Sequence, residues 1–351
     1  MPLLTDLFPW QQPGCKVGRL WPINPSREVL AERWSTFVSV SDVASRERLF
    51  DTKSTGRTVH TTVKGLPPLV SLPKDEPHPV IERYGYRSFD RQWTLVDPRL
   101  AALERPALWA SRSRKQLFLT TLTTKHLGAG PALTCSAHVP DLDYYCGRGG
   151  KDIVPLYRDA ECLHPNVTHG LLQHLADTMR IPVPTPEDLA AYVYALLAGE
   201  CYQQRFEVAL QTPGPRVPLT ASPALWNEAV QAGRRLLWLQ TYAERFCDPD
   251  TGQGLSVPLA PGLGWRHPVR TMPQKRADIR YDAVHQTLHV GDGCVEGVRP
   301  GVWNLRVSNM PVVKKWLGYR TAAGSGRAVH SKNPLDHIRL TEWPDEWSHE
   351  L

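Results

Sequence analysis

The sequence lacks the short motifs that identify many enzymes. Its 351 residues contain no Gly-x4-Gly-Lys-Ser/Thr phosphate loop, no Gly-x-Gly-x-x-Gly dinucleotide loop, no His-Glu-x-x-His zinc motif and no Gly-x-Ser-x-Gly nucleophile turn. The nearest approach to a phosphate loop, residues 147–152, has Asp152 where a magnesium-binding hydroxyl is required. We therefore predict no catalytic activity for this chain and neither a cofactor nor a metal, although a catalytic set scattered along the sequence would escape a motif search.

Motifs of DNA-modifying enzymes are missing as well. An amino-methyltransferase needs an Asn/Asp-Pro-Pro-aromatic loop, but the two Asn-Pro pairs, which begin at Asn24 and Asn333, continue with Ser26 and Leu335. A metal-dependent nuclease needs Pro-Asp followed by Asp/Glu-x-Lys, and the triplet at residues 51–53 has no suitable partner upstream. Methyl transfer and DNA cleavage are therefore not expected of this chain.

The cysteines and the apolar runs limit where the protein works. The seven cysteines form no Cys-x-x-Cys pair, and their odd number without a secretory signal argues against both a disulfide framework and a zinc ribbon. The longest apolar run, residues 189–198, is too short to cross a bilayer. We expect a cytoplasmic protein with reduced thiols and no membrane partner.

Positive charge is present and concentrated. Residues 84–126 hold eight Lys/Arg and three Asp/Glu, and residues 299–332 hold seven Lys/Arg and no acid. Together these two basic tracts carry +12 in a chain whose net charge is +6, so the remainder is net negative. Such concentration, interleaved with aromatic residues, is typical of a surface that binds a polyanion. The alternative is that the Arg and Trp side chains pair to cover the edge of a core.

The pattern of elements predicts a mixed α+β fold (α/β mixed) with a helical middle section and an irregular mixed sheet. Helices are expected after Ser26, over residues 42–50, after Thr185, after Ser222 and over residues 312–319. Strands are expected at residues 116–122, on both sides of a turn within 134–155, and as a hairpin at 281–290. We predict four parts: an N-terminal helical and extended segment with a linker (1–80), a basic β-rich core (81–165), a helical section (166–250) and a C-terminal hairpin with a basic helix (251–351).

Ten segments in order carry a family resemblance: FPWQQPG (8–14), YRSFDRQW (86–93), DPRL (97–100), RPALW (105–109), PALTCSAHVPDLDYYCGRGG (131–150), VPLYRD (154–159), VPLTASPALW (217–226), WLQTYAERFCDP (238–249), YDAVHQTLHVGDG (281–293) and VSNMPVVKKWLGYR (307–320). With them the sequence resembles the C-terminal specificity (target-recognition) region of type ISP restriction-modification enzymes. The methyltransferase, ATPase and nuclease parts of such enzymes have no counterpart in this sequence.

The resemblance implies a target-recognition module that reads a short double-stranded DNA sequence for an adenine methyltransferase or restriction complex. The methyltransferase and helicase-nuclease parts would then act in trans, unless the chain is a decayed fragment or a separately encoded piece of a larger enzyme. In such a module Lys and Arg neutralise phosphates, while a smaller set of side chains reads base edges.

The basic tracts and the glycine-rich turn at 147–151 supply the candidate DNA contacts. Asn309 is the candidate for reading a base. For Arg87, Asp90 and Arg91 two interpretations stay open, a structural ion pair or DNA contact. The candidates for phosphate contact are Arg112, Arg114, Lys115, Lys125, Arg148, Lys151, Lys314, Lys315 and Arg320.

An alternative hypothesis is a protein-docking subunit of a restriction or phage-defence complex that does not read DNA. The aromatic residues of FPW (8–10) and EWPDEW (342–347) would then be exposed for contact. A nuclease without recognisable motifs is a third hypothesis. DNA binding that weakens with salt, copurification with a methyltransferase in the absence of DNA, and Mg²⁺-dependent cleavage distinguish the three.

Overall fold

The computed structural model describes residues 1–51, 56–146, 151–323 and 333–351. Helices and small antiparallel sheets alternate along the chain, so the prediction of a mixed α+β fold is confirmed. The helices are α1 (Leu4–Leu7), α2 (Arg27–Ser39), α3 (Val43–Phe50), α4 (Pro106–Ala110), α5 (Leu171–Met179), α6 (Pro186–Leu197), α7 (Glu200–Phe206), α8 (Pro223–Gln240), α9 (Pro300–Trp303), α10 (Val312–Tyr319) and α11 (Asp345–Glu350).

The central sheet has four antiparallel strands in the order β1 (Gln12–Pro13), β7 (Lys151–Pro155), β5 (Phe118–Leu122) and β6 (Thr134–Ser136). The two strands predicted within residues 134–155 are therefore present, but they do not pair with each other. Each pairs with β5, which lies between them. All five residues of β5 are buried, because both faces of the sheet are covered.

Three smaller sheets surround the central one. A three-stranded sheet runs β2 (Ile23–Asn24), β4 (Asp90–Leu95), β3 (Ile81–Arg87). A C-terminal sheet runs β8 (Gly264–His267), β11 (Gly293–Glu296), β10 (Thr287–Val290), β9 (Ile279–Asp282), and its β9–β10 pair is the predicted hairpin. The strands β12 (Arg306–Val307) and β13 (Met310–Pro311) form a hairpin of their own just before α10.

Four of the predicted helices, α2, α3, α6 and α8, begin with a side chain that caps them, whereas α10 begins after Pro311 without one. Ser26, Asp42 and Ser222 accept hydrogen bonds from backbone N–H groups in the first turn of α2, α3 and α8. On α2, one face is buried, and its residues are Val29, Leu30, Arg33, Trp34, Phe37 and Val38. None of the helices within the described ranges has the length and apolar character needed to span a bilayer.

The start of α6 supports a quantitative prediction. The Thr185 hydroxyl accepts from the Asp188 N–H (3.1 Å), and the Asp188 carboxylate accepts in return from the Thr185 N–H (3.0 Å). Thr185→Ala removes the hydroxyl and leaves the Asp188 N–H without this acceptor, so we expect the free energy of unfolding to fall by about 1 kcal/mol in a urea titration. Thr62→Ala, at an exposed threonine, is the matched control. Equal stability of the two variants would contradict the capping argument.

Two apolar cores cover the faces of the central sheet. On one face, Leu119 and Val154 pack with residues of α1, α5, α6 and α8. On the other face, Phe118 and Ile153 pack with Tyr84 of β3 and with Leu108 of α4. The N-terminal α1 thus packs with the helices of the 166–250 part, and the four predicted parts share cores.

The predicted linker within residues 51–80 packs into a core in its described portion, residues 56–80. Val59, Leu69 and Leu72 are buried against Trp34 and Phe37 of α2. The prolines and glycines of this stretch shape turns that follow the core surface, which a composition-based interpretation cannot distinguish from a mobile connection. Val59, Leu69 and Leu72 of this stretch therefore belong to a core.

Candidate nucleic-acid interface

The ends of β5 separate the predicted DNA-contacting cations into two groups. Arg112, Arg114 and Lys115 lie on the loop that leads into β5, whereas Lys125 lies on the loop that leaves it. All four side chains are exposed. Since β5 spans five residues, roughly 17 Å of strand lies between the two groups.

Lys125 comes together with part of the second basic tract. The loop after β5 packs on the β12–β13 hairpin, where a β-carbon on Gly128 would lie 2.6 Å from the Ser308 Oγ, and one on Gly130 would overlap the Arg306 carbonyl oxygen. Only glycine permits this close approach at Gly130, whose φ of +97° also disfavours other residues. We call the exposed residues Lys125, His126, Arg306 and Asn309 at this junction the Lys125 face.

An apolar cluster holds the Lys125 face in place. Leu122 at the end of β5 packs with Val307 and Met310 of the hairpin and with Val312 at the start of α10. Arg306 also donates from Nη2 to the Asn309 carbonyl oxygen at 2.8 Å, which closes the hairpin turn. Asn309 is thereby presented on a tight turn with its side chain exposed.

A cleft of about 660 Å³ opens beside the Lys125 face. One wall is the loop from His126 to Gly130, and the other wall is formed by α7 and the turn after it, through Gln203, Gln204, Glu207, Leu210 and Gln211. Amide side chains therefore line the cleft, and cations lie at its side. No motif in the sequence marks these helical residues as a binding site.

The Arg112 group, comprising Arg112, Arg114 and Lys115, is a second exposed basic patch. Arg112 forms an ion pair with Glu82 at 3.0 Å, and its guanidinium lies 5.2 Å from the centroid of the Trp109 ring. An exposed pair of this kind contributes little to stability and can exchange its partner for a phosphate.

Helix α10 presents two further predicted contacts. Lys314 is exposed, and its Nζ lies 4.8 Å from the centroid of the Trp303 ring. Lys315 is half-buried. Of the glycine-rich turn, Arg148 lies outside the described residues, and Lys151 is described only through its backbone, which pairs with Leu122 at the Lys125 end of the sheet.

Arg320 was predicted to contact a phosphate, but its side chain is fully buried. Its guanidinium pairs with Asp90 at 3.0 Å and with Glu350 at 3.3 Å, and it lies 3.6 Å from the centroid of the Trp316 ring. A guanidinium with no exposed surface and two carboxylate partners does not reach a phosphate. Arg320 instead joins β4, α10 and α11.

Arg87, Asp90 and Arg91 all form ion pairs, although not with one another. Asp90 pairs with Arg320, while Arg91 pairs with Glu350 at 2.7 Å and also with Glu244. Burial raises the pKa of the Asp90 carboxyl, although the Arg320 charge opposes that shift. These pairs tie β4 to the C-terminal helix.

Two further pairs of charged residues lie in this region. Arg87 pairs with Asp141 at 2.8 Å, and His138 contacts Glu244 at 2.6 Å. Burial raises the pKa of the Glu244 carboxyl, but the hydrogen bond and charge of His138 and the nearby arginines outweigh burial and bring this pKa to about 2. Within the described ranges, no three His, Cys, Asp or Glu side chains lie together in a way that would hold a metal ion.

The aromatic residues proposed for protein docking are mostly buried. Phe8 is 0% exposed and packs in the core with α1, while Trp343 (5%) and Trp347 (3%) pack together in the C-terminal core. The expectation that they offer a docking surface is therefore wrong. Trp343 and Trp347 are buried by segments that are distant in the sequence, and the residues next to them in the sequence give no indication of this burial.

An α+β module that carries exposed cations beside an amide-lined cleft has the surface chemistry of a nucleic-acid-binding domain. The family model of the Type ISP C-terminal specificity domain matches residues 6–351, and the chain belongs to this family. It is thus a target-recognition module of restriction-modification enzymes, which confirms the resemblance seen in the sequence.

Solved structures share the fold. The chain resembles a DrdV–DNA complex (TM-score 0.61, 17% identity, 98% of this chain and 34% of that chain). It also resembles the Type ISP restriction-modification enzyme LlaGI, as a nuclease-deletion mutant in complex with a DNA substrate mimic (0.57, 15%, 95% and 26%). The ATP-dependent Type ISP enzyme LlaBIII bound to DNA is similar as well (0.57, 15%, 95% and 22%). The chain thus spans about a third of the length of the first of these proteins and about a quarter of the other two. No curated protein matches it.

Proposed function

We propose that this chain binds double-stranded DNA and reads a short target sequence on behalf of an adenine methyltransferase or restriction complex in the cytoplasm, without catalysing a reaction itself. The observation that carries the proposal is the Lys125 face, where exposed cations from both basic tracts meet beside Asn309. The methyltransferase and the helicase-nuclease parts would be supplied by the same assembly, on this polypeptide or in trans.

DNA-binding proteins use some side chains to contact phosphates and others to read bases, and this arrangement offers both kinds. Lys125 and Arg306 would neutralise phosphates and fix the register of the duplex, which carries no sequence information by itself. Asn309, on its tight turn, would reach a base edge, where the amide can bond to adenine N6 and N7. The Arg112 group and Lys314 would extend the contact along the backbone.

Removing the cations of the Lys125 face should weaken binding to any duplex. For the double variant Lys125→Ala/Arg306→Ala, we expect the slope of log affinity against log salt to become shallower by about 2, because each lost phosphate contact releases about one counterion fewer. Fluorescence anisotropy with a random-sequence duplex at several salt concentrations measures this slope. Lys64→Ala/Arg235→Ala, at two exposed cations of other regions, is the matched control.

The outcome separates three situations. An unchanged slope in the double variant would exclude the Lys125 face, and the same loss in the control would mean that only net charge matters. If the wild-type chain does not bind duplex even at low salt, the proposal fails for the isolated chain.

A further inference from the structure

Residues 200–211 form one helical segment on the surface. Helix α7 ends at Phe206, but Glu207 and Val208 keep right-handed helical backbone angles and lead into the 3₁₀ turn Ala209–Gln211. Twelve residues therefore follow one helical path beside the Lys125 face, with α7 and the turn lining the cleft.

The segment is amphipathic, and its apolar side anchors it. The core that packs α1, α5, α6 and α8 on the central sheet is called the main core here. Three side chains spaced four residues apart contact it, namely Tyr202, Phe206 and Leu210. The Tyr202 and Phe206 rings lie 4.9 Å apart, and the Tyr202 hydroxyl donates to the Arg216 carbonyl oxygen at 2.6 Å. The segment is thus fixed to the body of the protein along one side.

The opposite side faces solvent. Cys201, Gln204, Val208 and Gln211 follow the spacing of a single helical face and are all exposed. Val208 is 82% exposed, so its methyl groups are free to pack on a partner. Gln204 donates from Nε2 to the Glu200 carboxylate at 3.1 Å, an exposed contact that costs little to break.

The chemistry of this side fits base edges better than phosphates. Its side chains contribute amides and an apolar group, with Glu207 as a carboxylate in the cleft and Arg205 as one exposed cation next to Val208 on the helix, whereas the other cations lie across the cleft on the Lys125 face. Glutamine bonds to adenine through N6 and N7, a carboxylate accepts from cytosine N4, and a valine methyl can pack on the thymine methyl.

We propose that residues 200–211 are the element that reads the target, entering the major groove with Gln204, Val208 and Gln211 towards the base edges. This inference rests on the proposed function. The major groove is about 12 Å wide and admits a helix. Gln204 and Gln211 lie roughly 10 Å apart along the helix, which corresponds to about three base pairs. The cations of the Lys125 face then contact the flanking phosphates.

Selection of duplexes from a random pool tests the readout. We expect Gln204→Ala and Gln211→Ala each to relax the preference at one position of the selected sequence by roughly ten- to a hundred-fold, with salt-dependent binding to random duplex unchanged. Gln173→Ala on α5 is the matched control, because Gln173 is also exposed and donates to an acid four residues away (2.8 Å to Asp177). Selected sequences identical to wild type in both variants would overturn the inference and leave the proposed function intact.

The native cysteines give a second readout that needs no defined target. Cys201 lies on the proposed reading side, whereas Cys247, also exposed, lies two residues from Arg245, which bonds to Ser113 near the Arg112 group. Peptide mass spectrometry measures the rate at which each cysteine is alkylated. Saturating duplex should slow the alkylation of Cys201 several-fold and should slow that of Cys247 less. Protection of Cys247 alone, or of neither cysteine while duplex is bound, contradicts the inference. If no duplex binds at low salt, the proposed function fails, and this inference fails with it.

Discussion

Replacing Arg320 with methionine is expected to lower the free energy of unfolding by about 3–5 kcal/mol. Methionine retains much of the apolar volume against Trp316 but removes the cation that Asp90 and Glu350 share. Both carboxylates are buried, so the variant leaves negative charge in the interior without this partner. Urea titration followed by tryptophan fluorescence measures the loss, with Lys314→Met, at an exposed position of the same helix, as the control.

A double variant distinguishes the ion pair from simple packing. In the Arg320→Met variant the buried Asp90 carboxylate is left without its cation. Asp90→Asn in that background removes the unpaired charge, so the double variant should recover part of the lost stability. Strictly additive losses would indicate that the two groups do not interact. A loss for Arg320→Met no larger than for Lys314→Met would contradict the buried pairing altogether.

Arg320 also explains how much of the site was predictable from the sequence. The two basic tracts were identified by counting charges, but counting does not reveal partners. Arg83 and Arg91 of the β3–β4 hairpin pair with Glu346 and Glu350 of the C-terminal helix, more than 250 residues away. Only the fold brings such acids to the tract, and it thereby removes Arg91 and Arg320 from the set of exposed cations.

Local signals, by contrast, predicted local structure well. A capping side chain and a periodic apolar face are both encoded within a few residues, so α2, α6 and α8 begin directly after Ser26, Thr185 and Ser222 as predicted, and α3 begins one residue inside its predicted range. The order of the central sheet was not predictable in this way, since β1 pairs with β7 across about 140 residues. The contacts of Gly128 and Gly130 with the β12–β13 hairpin, which carries Asn309 on its turn, are likewise set by tertiary packing.

The amide-lined side of residues 200–211 was missed for a related reason. Gln203 and Gln204 follow a glycine in a region whose other helices are core elements, and glutamine is a common exposed helix residue. A signal was nevertheless present, because Val208 interrupts a polar face. The exposed Val208 indicates a binding surface only in combination with the cleft and the neighbouring cations, which the fold brings together.

Gly233→Ala is expected to lower the free energy of unfolding by about 2–3 kcal/mol, although alanine normally stabilises a helix by up to about 1 kcal/mol over glycine. Gly233 lies where α8 crosses α6, and a β-carbon there would overlap the carbonyl oxygen of Ala191. Because backbone atoms cannot rotate away as a side chain can, the two helices must separate. Leu189 and Val193 of α6 and Val230 and Leu237 of α8 would then lose contact in the main core.

Gly301→Ala is the matched control for Gly233→Ala, since Gly301 is also helical and has open space around its β-carbon position. It should leave stability unchanged or raise it slightly, so the two variants should differ in sign in the same urea titration. If Gly233→Ala were as stable as Gly301→Ala, the close crossing of α6 and α8 would be wrong. The anchoring of residues 200–211, which follow α6 directly and pack on the same core, would then need another explanation.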